Sequence, residues 1–192
     1  MRLCFARQLG CSLLLLLLAL LAPQARAEVC LTPDDLRPGA IDRSFVQLRY
    51  IAGLSQPLRS EGRVRVTEDR ISWHMTKPFD VETIITPDGL SQSVEGKPPT
   101  QVVGGGAFGG ALVRALADLL QGRWEPLRAS FEIEPGEVSV GKPWSLRLTP
   151  RDERLLALFD AIAVSGCRDV TDVEITHRGG DREAIQFLDG AP

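Results

Sequence analysis

Two histidines, one tyrosine and two methionines are spread through 192 residues. Side chains that most often move protons or hold metals are therefore scarce. His74 and His177 both fall in alternating stretches where they read as outward, solvated strand residues. No G-x-S-x-G nucleophile motif occurs, and no His and Cys stand at ligand spacing. Asp169, Asp172, Glu174 and Asp181 lack the spacing of a calcium loop. Blocks of like charge are absent and the formal net charge is −3, so nucleic acid is not an expected partner. These absences predict no catalytic site, no metal and no cofactor.

Cysteine is also scarce, and its placement is informative. Arg2 and Arg7 precede a Leu/Ala run from Leu13 to Leu21, and Ala25-Arg26-Ala27 follows. That order reads as a secretory signal peptide over residues 1–27, too short to span a bilayer. Its removal would take Cys4, Cys11 and three arginines, shifting the net charge from −3 to −6. Residues 28–192 read as one domain, which no linker extends at Pro192. Cys30 and Cys167 remain, an even pair in an exported chain, and are predicted to form a disulfide. Neither sits in a lipobox, so a soluble periplasmic protein is expected.

What the mature chain has in quantity is alternation. Val64 and Val66 alternate with Arg63 and Arg65, and Ile71, Trp73 and Met75 with Ser72 and His74. This is the period of half-buried strands. Val81 to Ile85, Leu90 to Val94 and Gln101 to Val103 continue the series. Leu127, Ala129, Phe131 and Ile133 follow, then Trp144, Leu146 and Leu148, Val173 and Ile175, and Ile185 and Phe187. Phe45 to Ile51 and Leu155 to Val164 fit strand or helix. About ten strands with frequent turn signals predict an all-β barrel or sandwich, or one curved sheet with a helix against its inner side.

Thr32-Pro33-Asp34-Asp35 reads as a short helix start. Ala111 to Gln121 is predicted as the one long helix. Leu112, Leu116 and Leu119 lie on its apolar side, and Gly122 is its stop. The stretch before it, Gly104 to Gly110, contains G-x-G-x-x-G in Gly104, Gly106 and Gly109. A dinucleotide site would need parallel βαβ alternation, which is missing, so these glycines read as a mobile hinge or loop. Trp73, Phe79, Phe131 and Trp144 read as inward-facing.

Several stretches, in order, resemble the periplasmic outer-membrane lipoprotein carriers, the LolA-like family. They are Phe45-x-Gln47, Gly62 with Val64-Arg65-Val66, Ile71-Ser72-Trp73, Pro78 and Asp88-Gly89. Later come Trp144 to Pro150, Phe159-x-x-Ile162, Gly166, and Gly180-Asp181 to Phe187. The resemblance implies a mainly β fold with helices (α+β): a single antiparallel unclosed β-barrel, or half-barrel, under a helical lid. It implies a non-enzymatic chaperone that shields acyl chains, of a lipoprotein or lipid, between the inner and outer membranes. An inner-membrane donor and an outer-membrane acceptor would be its partners, and it would act as a monomer. The family's Arg-Pro after the second strand is replaced here by Thr67-Glu68-Asp69, as in a divergent member.

On this reading Val64, Val66, Ile71, Trp73, Met75, Phe131, Ile133, Trp144, Leu146 and Leu148 line an apolar cavity for cargo. Leu112, Leu116 and Leu119 close it. The alternative is a periplasmic lipid-sensing or protein-interaction domain on the same fold.

Overall fold

The computed structural model describes residues 30–37, 39–67, 69–86, 88–104, 107–136 and 142–188. The signal peptide read from residues 1–27 lies outside them. Eleven strands form one antiparallel sheet. β1 (Ile41–Tyr50), β2 (Leu58–Val66), β3 (Ile71–Lys77), β4 (Val81–Thr86), β5 (Gly89–Val94) and β6 (Thr100–Gly104) make a meander on one side. β7 (Phe131–Pro135), β8 (Trp144–Pro150), β9 (Phe159–Gly166), β10 (Val170–His177) and β11 (Arg182–Leu188) return to pair with β1. The chain thus starts mid-sheet, builds one wing out to β6, crosses over, and builds the second wing back to the middle. β6 and β7 are the free edges, so the sheet is unclosed, as expected.

Two helices make the crossing, α1 (Ala107–Leu120) and α2 (Trp124–Leu127); a third, α3 (Glu153–Leu156), joins β8 to β9. α1 ends as its sequence predicts. Gly122 takes φ +67°, its N–H donates to the Leu119 carbonyl, and the Arg123 N–H donates to that of Asp118. This pair of bonds satisfies carbonyls that the last turn would otherwise leave open. The start differs from expectation. Gly109 and Gly110 are helical, so the glycine-rich stretch is not all loop, and Gly105 and Gly106 lie outside the described residues. Thr32 opens only a 3-10 turn, Pro33–Asp35.

Strand register decides which side chains share a face, because partners across an antiparallel pair lie on the same side. Ile41, Val66, Ile71, Ile85 and Leu90 form one row across β1 to β5. Val64, Trp73, Thr83 and Gln92 form the next. Across the second wing, Ile185, Val173, Val164 and Leu146 align. So do Ile175, Ile162, Leu148 and Ile133. The apolar sides of the helices and most of these apolar residues, from Val64, Val66 and Ile71 to Leu148 and Ile162, make one core, which leaves out Leu90.

Each wing places an aromatic ring over a glycine of the facing strand. Phe45 faces Gly62 across β1 and β2. A Cβ on Gly62 would lie 2.1 Å from the His74 carbonyl oxygen and 2.8 Å from the Phe45 ring. Trp144 faces Gly166 across β8 and β9, where a Cβ would lie 1.9 Å from the Asp169 carbonyl oxygen and 2.8 Å from the indole. In both places only glycine leaves room for the ring.

Cys30 and Cys167 form the expected disulfide, which spans 137 residues of sequence. It fastens the 3-10 turn across the second wing. The Leu31 N–H donates to the Cys167 carbonyl at 3.0 Å. Two indoles join in: Trp144 Nε1 donates to the same carbonyl at 3.1 Å, and Trp124 Nε1 donates to that of Pro33 at 2.9 Å.

One predicted strand starts late. Leu127 ends α2 and Ala129 lies in the turn after it, so the strand opens only at Phe131. The reason is pairing: β8 offers partners from Phe131, opposite Pro150, onward. Leu127 is buried all the same, from a helix rather than a strand.

Candidate functional site

The two wings share an apolar inner face but not its covering. On β8 and β9, Trp144, Leu146, Leu148, Ile162 and Val164 are all buried, Leu148 completely at 0% exposure. Trp124 and Leu127 of α2 and Leu155 of α3 belong to that packing. Trp124 meets Trp144 edge-on at 5.7 Å, and Phe131 stacks on Phe159 at 6.2 Å, arrangements that add to area burial. On β3 to β5 the inner-face residues Trp73, Met75, Val81, Ile85 and Leu90 are only partly buried. α1 reaches the sheet here at β4. It contributes Val113, Ala117 and Leu119 to the buried set, with Leu116 and Leu120 partly buried against it.

The residues read from the sequence as cavity-lining therefore divide. Val64, Val66, Ile71, Phe131, Trp144, Leu146 and Leu148 are buried in protein contacts. Trp73, Met75 and Ile133 keep part of their surface in water. Trp73 packs on Phe45, ring centres 4.2 Å apart, and meets Phe187 edge-on at 6.3 Å. Of the three lid residues, Leu119 is buried and Leu116 half-buried; the side chain of Leu112 lies outside the described residues. Sequence reading missed Val81, Ile85, Leu90 and Val94 as inner-face residues. The run Val81 to Ile85 carries β-branched residues on both of its sides, Thr83 and Ile84 among them, and only pairing with Met75 and Ile71 reveals its faces.

Phe79 is corrected. It stands in the β3–β4 hairpin with 61% of its surface exposed, because the strand pairing has ended before it. His177 is corrected too. It lies on the side of Val173 and Ile175, as a period of two requires, and not outward. Its Nε2 is buried 3.5 Å from a Glu183 carboxylate oxygen, without a well-formed hydrogen bond. Gln47 Nε2 donates to Glu183 at 3.0 Å and Arg49 approaches it at 3.4 Å. These four side chains form a polar patch at one end of a mainly apolar face, which also carries Thr83 and Gln92. His74 does face outward, 3.2 Å from Asp80.

The outer face is charged. Arg63 and Arg65 both reach Asp42, and the Arg63 hydrogen bond holds that carboxyl below its ordinary range. Lys77, and then Arg59, lower Glu61 in the same way. Such a face suits water rather than lipid. No helix of the described residues is long and apolar enough to cross a membrane. Among the same residues no cluster of His, Cys, Asp or Glu is placed to hold a metal ion.

A cleft of about 270 Å³ lies beside the β7 edge, between Pro33, Trp124, Ile133, Pro135 and Leu146. Another, about 210 Å³, lies between Leu36, Ile41, Arg43, Leu120 and Val170. Both fall below the usual size of a small-molecule pocket.

No protein-family model matches the chain, and no curated protein sequence matches it. Among solved structures it is similar to the lipoprotein LppX of Mycobacterium tuberculosis, at 10% identity and a TM-score of 0.40, covering 80% of this chain and 90% of that one. It is also similar to a LolA superfamily protein from Nitrosomonas europaea, at 8% identity and a TM-score of 0.42, covering 83% and 91%.

Proposed function

We propose that this protein is a non-enzymatic periplasmic carrier of acyl chains or another long apolar group. One observation carries the reading: Trp73, Met75, Val81, Ile85 and Leu90 share one face of the sheet and stay partly open to water. Covering such a surface with cargo releases water from both partners. Each methylene moved from water into an apolar site gains about 0.8 kcal/mol. The unclosed edge between β6 and β7 lets the covering element move without tearing strand pairing.

The lid in this proposal is α1. Leu116 and Leu119 would sit over the face when it is empty and give way to cargo. The chain would receive acylated protein or lipid from a donor at the inner membrane and pass it to an acceptor at the outer membrane. No proton transfer or covalent step is needed, so none is assigned to His74 or His177.

The test is displacement of a fluorescent fatty acid from the purified mature chain, residues 28–192, with folding followed by circular dichroism. Leu116→Asp puts a carboxylate where the closed state is apolar, and binding should weaken about tenfold or more. Folded wild type that binds no fatty acid, with native mass spectrometry finding no co-purified lipid, would remove the carrier reading. Equal binding by wild type and Leu116→Asp would remove α1 as the lid.

A further inference from the structure

Several polar side chains on the inner face are satisfied within the protein. Gln92 Nε2 donates to Thr83 Oγ1 at 3.1 Å. Arg43, opposite Val64, donates to the Val170 carbonyl at 2.7 Å and lies 5.8 Å from the centre of the Phe187 ring. The cluster of Gln47, Arg49, His177 and Glu183 is different. Its side chains make one well-formed hydrogen bond among themselves, from Gln47 to Glu183. Arg49 stands 3.4 Å and His177 3.5 Å from the same carboxylate. His177 Nε2 is buried without a hydrogen-bond partner among the described residues. A carboxylate offers about four acceptor positions, so Glu183 has capacity for further donors.

Register places this cluster against the open face. Phe45, Gly62, Met75, Val81 and Val94 form one row across β1 to β5. Gln47 and Ser60 pair on the same side, two residues further along β1 and β2. Arg49 and Glu183 pair two residues beyond that. The Glu183 side chain is 15% exposed and that of Arg49 50%, so the site is recessed but reachable past Arg49. Apolar cargo that ran off the open face onto this cluster would strip water from a carboxylate, which is costly unless new hydrogen bonds replace those lost. A head that donates hydrogen bonds replaces them. A hydroxyl does so without adding charge. A carboxylate head brings a second negative charge beside Glu183 and no proton to donate.

We propose that Gln47, Arg49, His177 and Glu183 form a head-group site, and that the cargo it selects has an uncharged, hydroxyl-bearing head, as in an acylglycerol. Glu183 accepts a hydrogen bond from one hydroxyl. His177 Nε2 meets a second, as donor or acceptor according to its tautomer. The tail lies along Met75, Val81 and Val94. The inference rests on the carrier reading for that tail and adds the class of head to it.

The experiment is displacement of a fluorescent fatty acid from the mature chain by three competitors that share one saturated chain: the glycerol monoester, the methyl ester and the free acid. The glycerol monoester should displace the probe at about tenfold lower concentration than either of the others. Glu183→Ala should abolish that preference. Glu183→Gln keeps the shape of the site and one acceptor oxygen; it should reduce the preference, and it serves as the test if Glu183→Ala does not fold. Glu174→Ala removes the partner of Arg182 on the outer side of the same strands, and should keep the preference in full. Equal potency of the glycerol and methyl esters on wild type overturns the head-group site and leaves the carrier reading standing. A preference that persists undiminished in the folded Glu183 variants does the same. A free acid that outcompetes the glycerol ester also overturns it, by giving the site to an anion held by Arg49. Wild type that never binds the probe removes the carrier reading itself, and the head-group site with it.

Discussion

The β7–β11 wing and the β3–β6 wing follow the same sequence rule and end in different states. In both, apolar residues alternate with polar ones and apolar sides face inward. An aromatic ring sits over a cross-strand glycine in β8 and β9, and another in β1 and β2, next to the open wing. Only one inner face is sealed. β8 and β9 lie under α2, α3 and a disulfide-fastened turn, whereas the open wing meets the helix that follows the glycine-rich stretch at β4. The lesson is that patterning sets which way a side chain points, and covering sets whether it is core or binding surface. A filled face stabilises the fold; a half-filled one costs stability and leaves room for a ligand.

The largest expected effect tests the sealed wing. Leu148→Ala removes a side chain with 0% exposure, and should lower unfolding stability by about 4 kcal/mol in a urea titration. A loss below about 1 kcal/mol would mean the wing is looser than its burial implies.

Reducing the Cys30–Cys167 disulfide comes next. The bridge closes a loop of 137 residues in sequence, and its loss should cost about 3 kcal/mol. Mass spectrometry of the exported protein should find no free thiol before reduction. Loss of fatty-acid binding on reduction, with the fold intact, would show that the two wings are not independent.

Leu90→Ala is the matched change in the open wing. Leu90 is only partly buried, so about 1 kcal/mol of stability is expected to go. Fatty-acid binding should nevertheless fall, whereas Leu148→Ala should leave binding of the folded fraction unchanged. The reverse pattern would exchange the roles assigned to the wings.

The smallest effect concerns the outer face. Asp42 and Glu61 have lowered pKa values in the folded protein, through Arg63 and Lys77 first. A carboxyl lowered on folding contributes stability that is fully present above its unfolded pKa, about 4. That contribution is lost as pH falls through the lower folded value. Stability should therefore decline in acid, and Asp42→Asn should flatten the decline slightly. Both carboxylates are solvent-facing, so added salt should shrink the difference.

Much of the architecture was legible before any coordinates. Alternation at Val64–Val66, at Ile71–Met75 and at Trp144–Leu148 marked strands and their inward sides, because a period of two is a local property. Gly122 marked the end of α1 for an equally local reason. Errors arose where local pattern and long-range pairing diverged. Leu127 and Ala129 alternate like a strand, but no partner strand reaches them, and a helical turn takes Leu127. Phe79 is apolar enough for a core, yet it lies beyond the last paired residue of β3. Val81, Ile85 and Leu90 were not distinguished because their faces follow from register with β3.

The sequence alone determined the antiparallel strands, the inward side of most of them and the pairing of Cys30 with Cys167. All of these rest on residues close in sequence or on a simple count. Only the tertiary structure decided that Val64 and Leu148 are closed core while Trp73 and Met75 stay half open. It also turned His177 toward Glu183. Exposure depends on what packs over a residue, and here the covering elements come from distant parts of the chain. Residues with the same alternating pattern can therefore become core in one wing and accessible surface in the other.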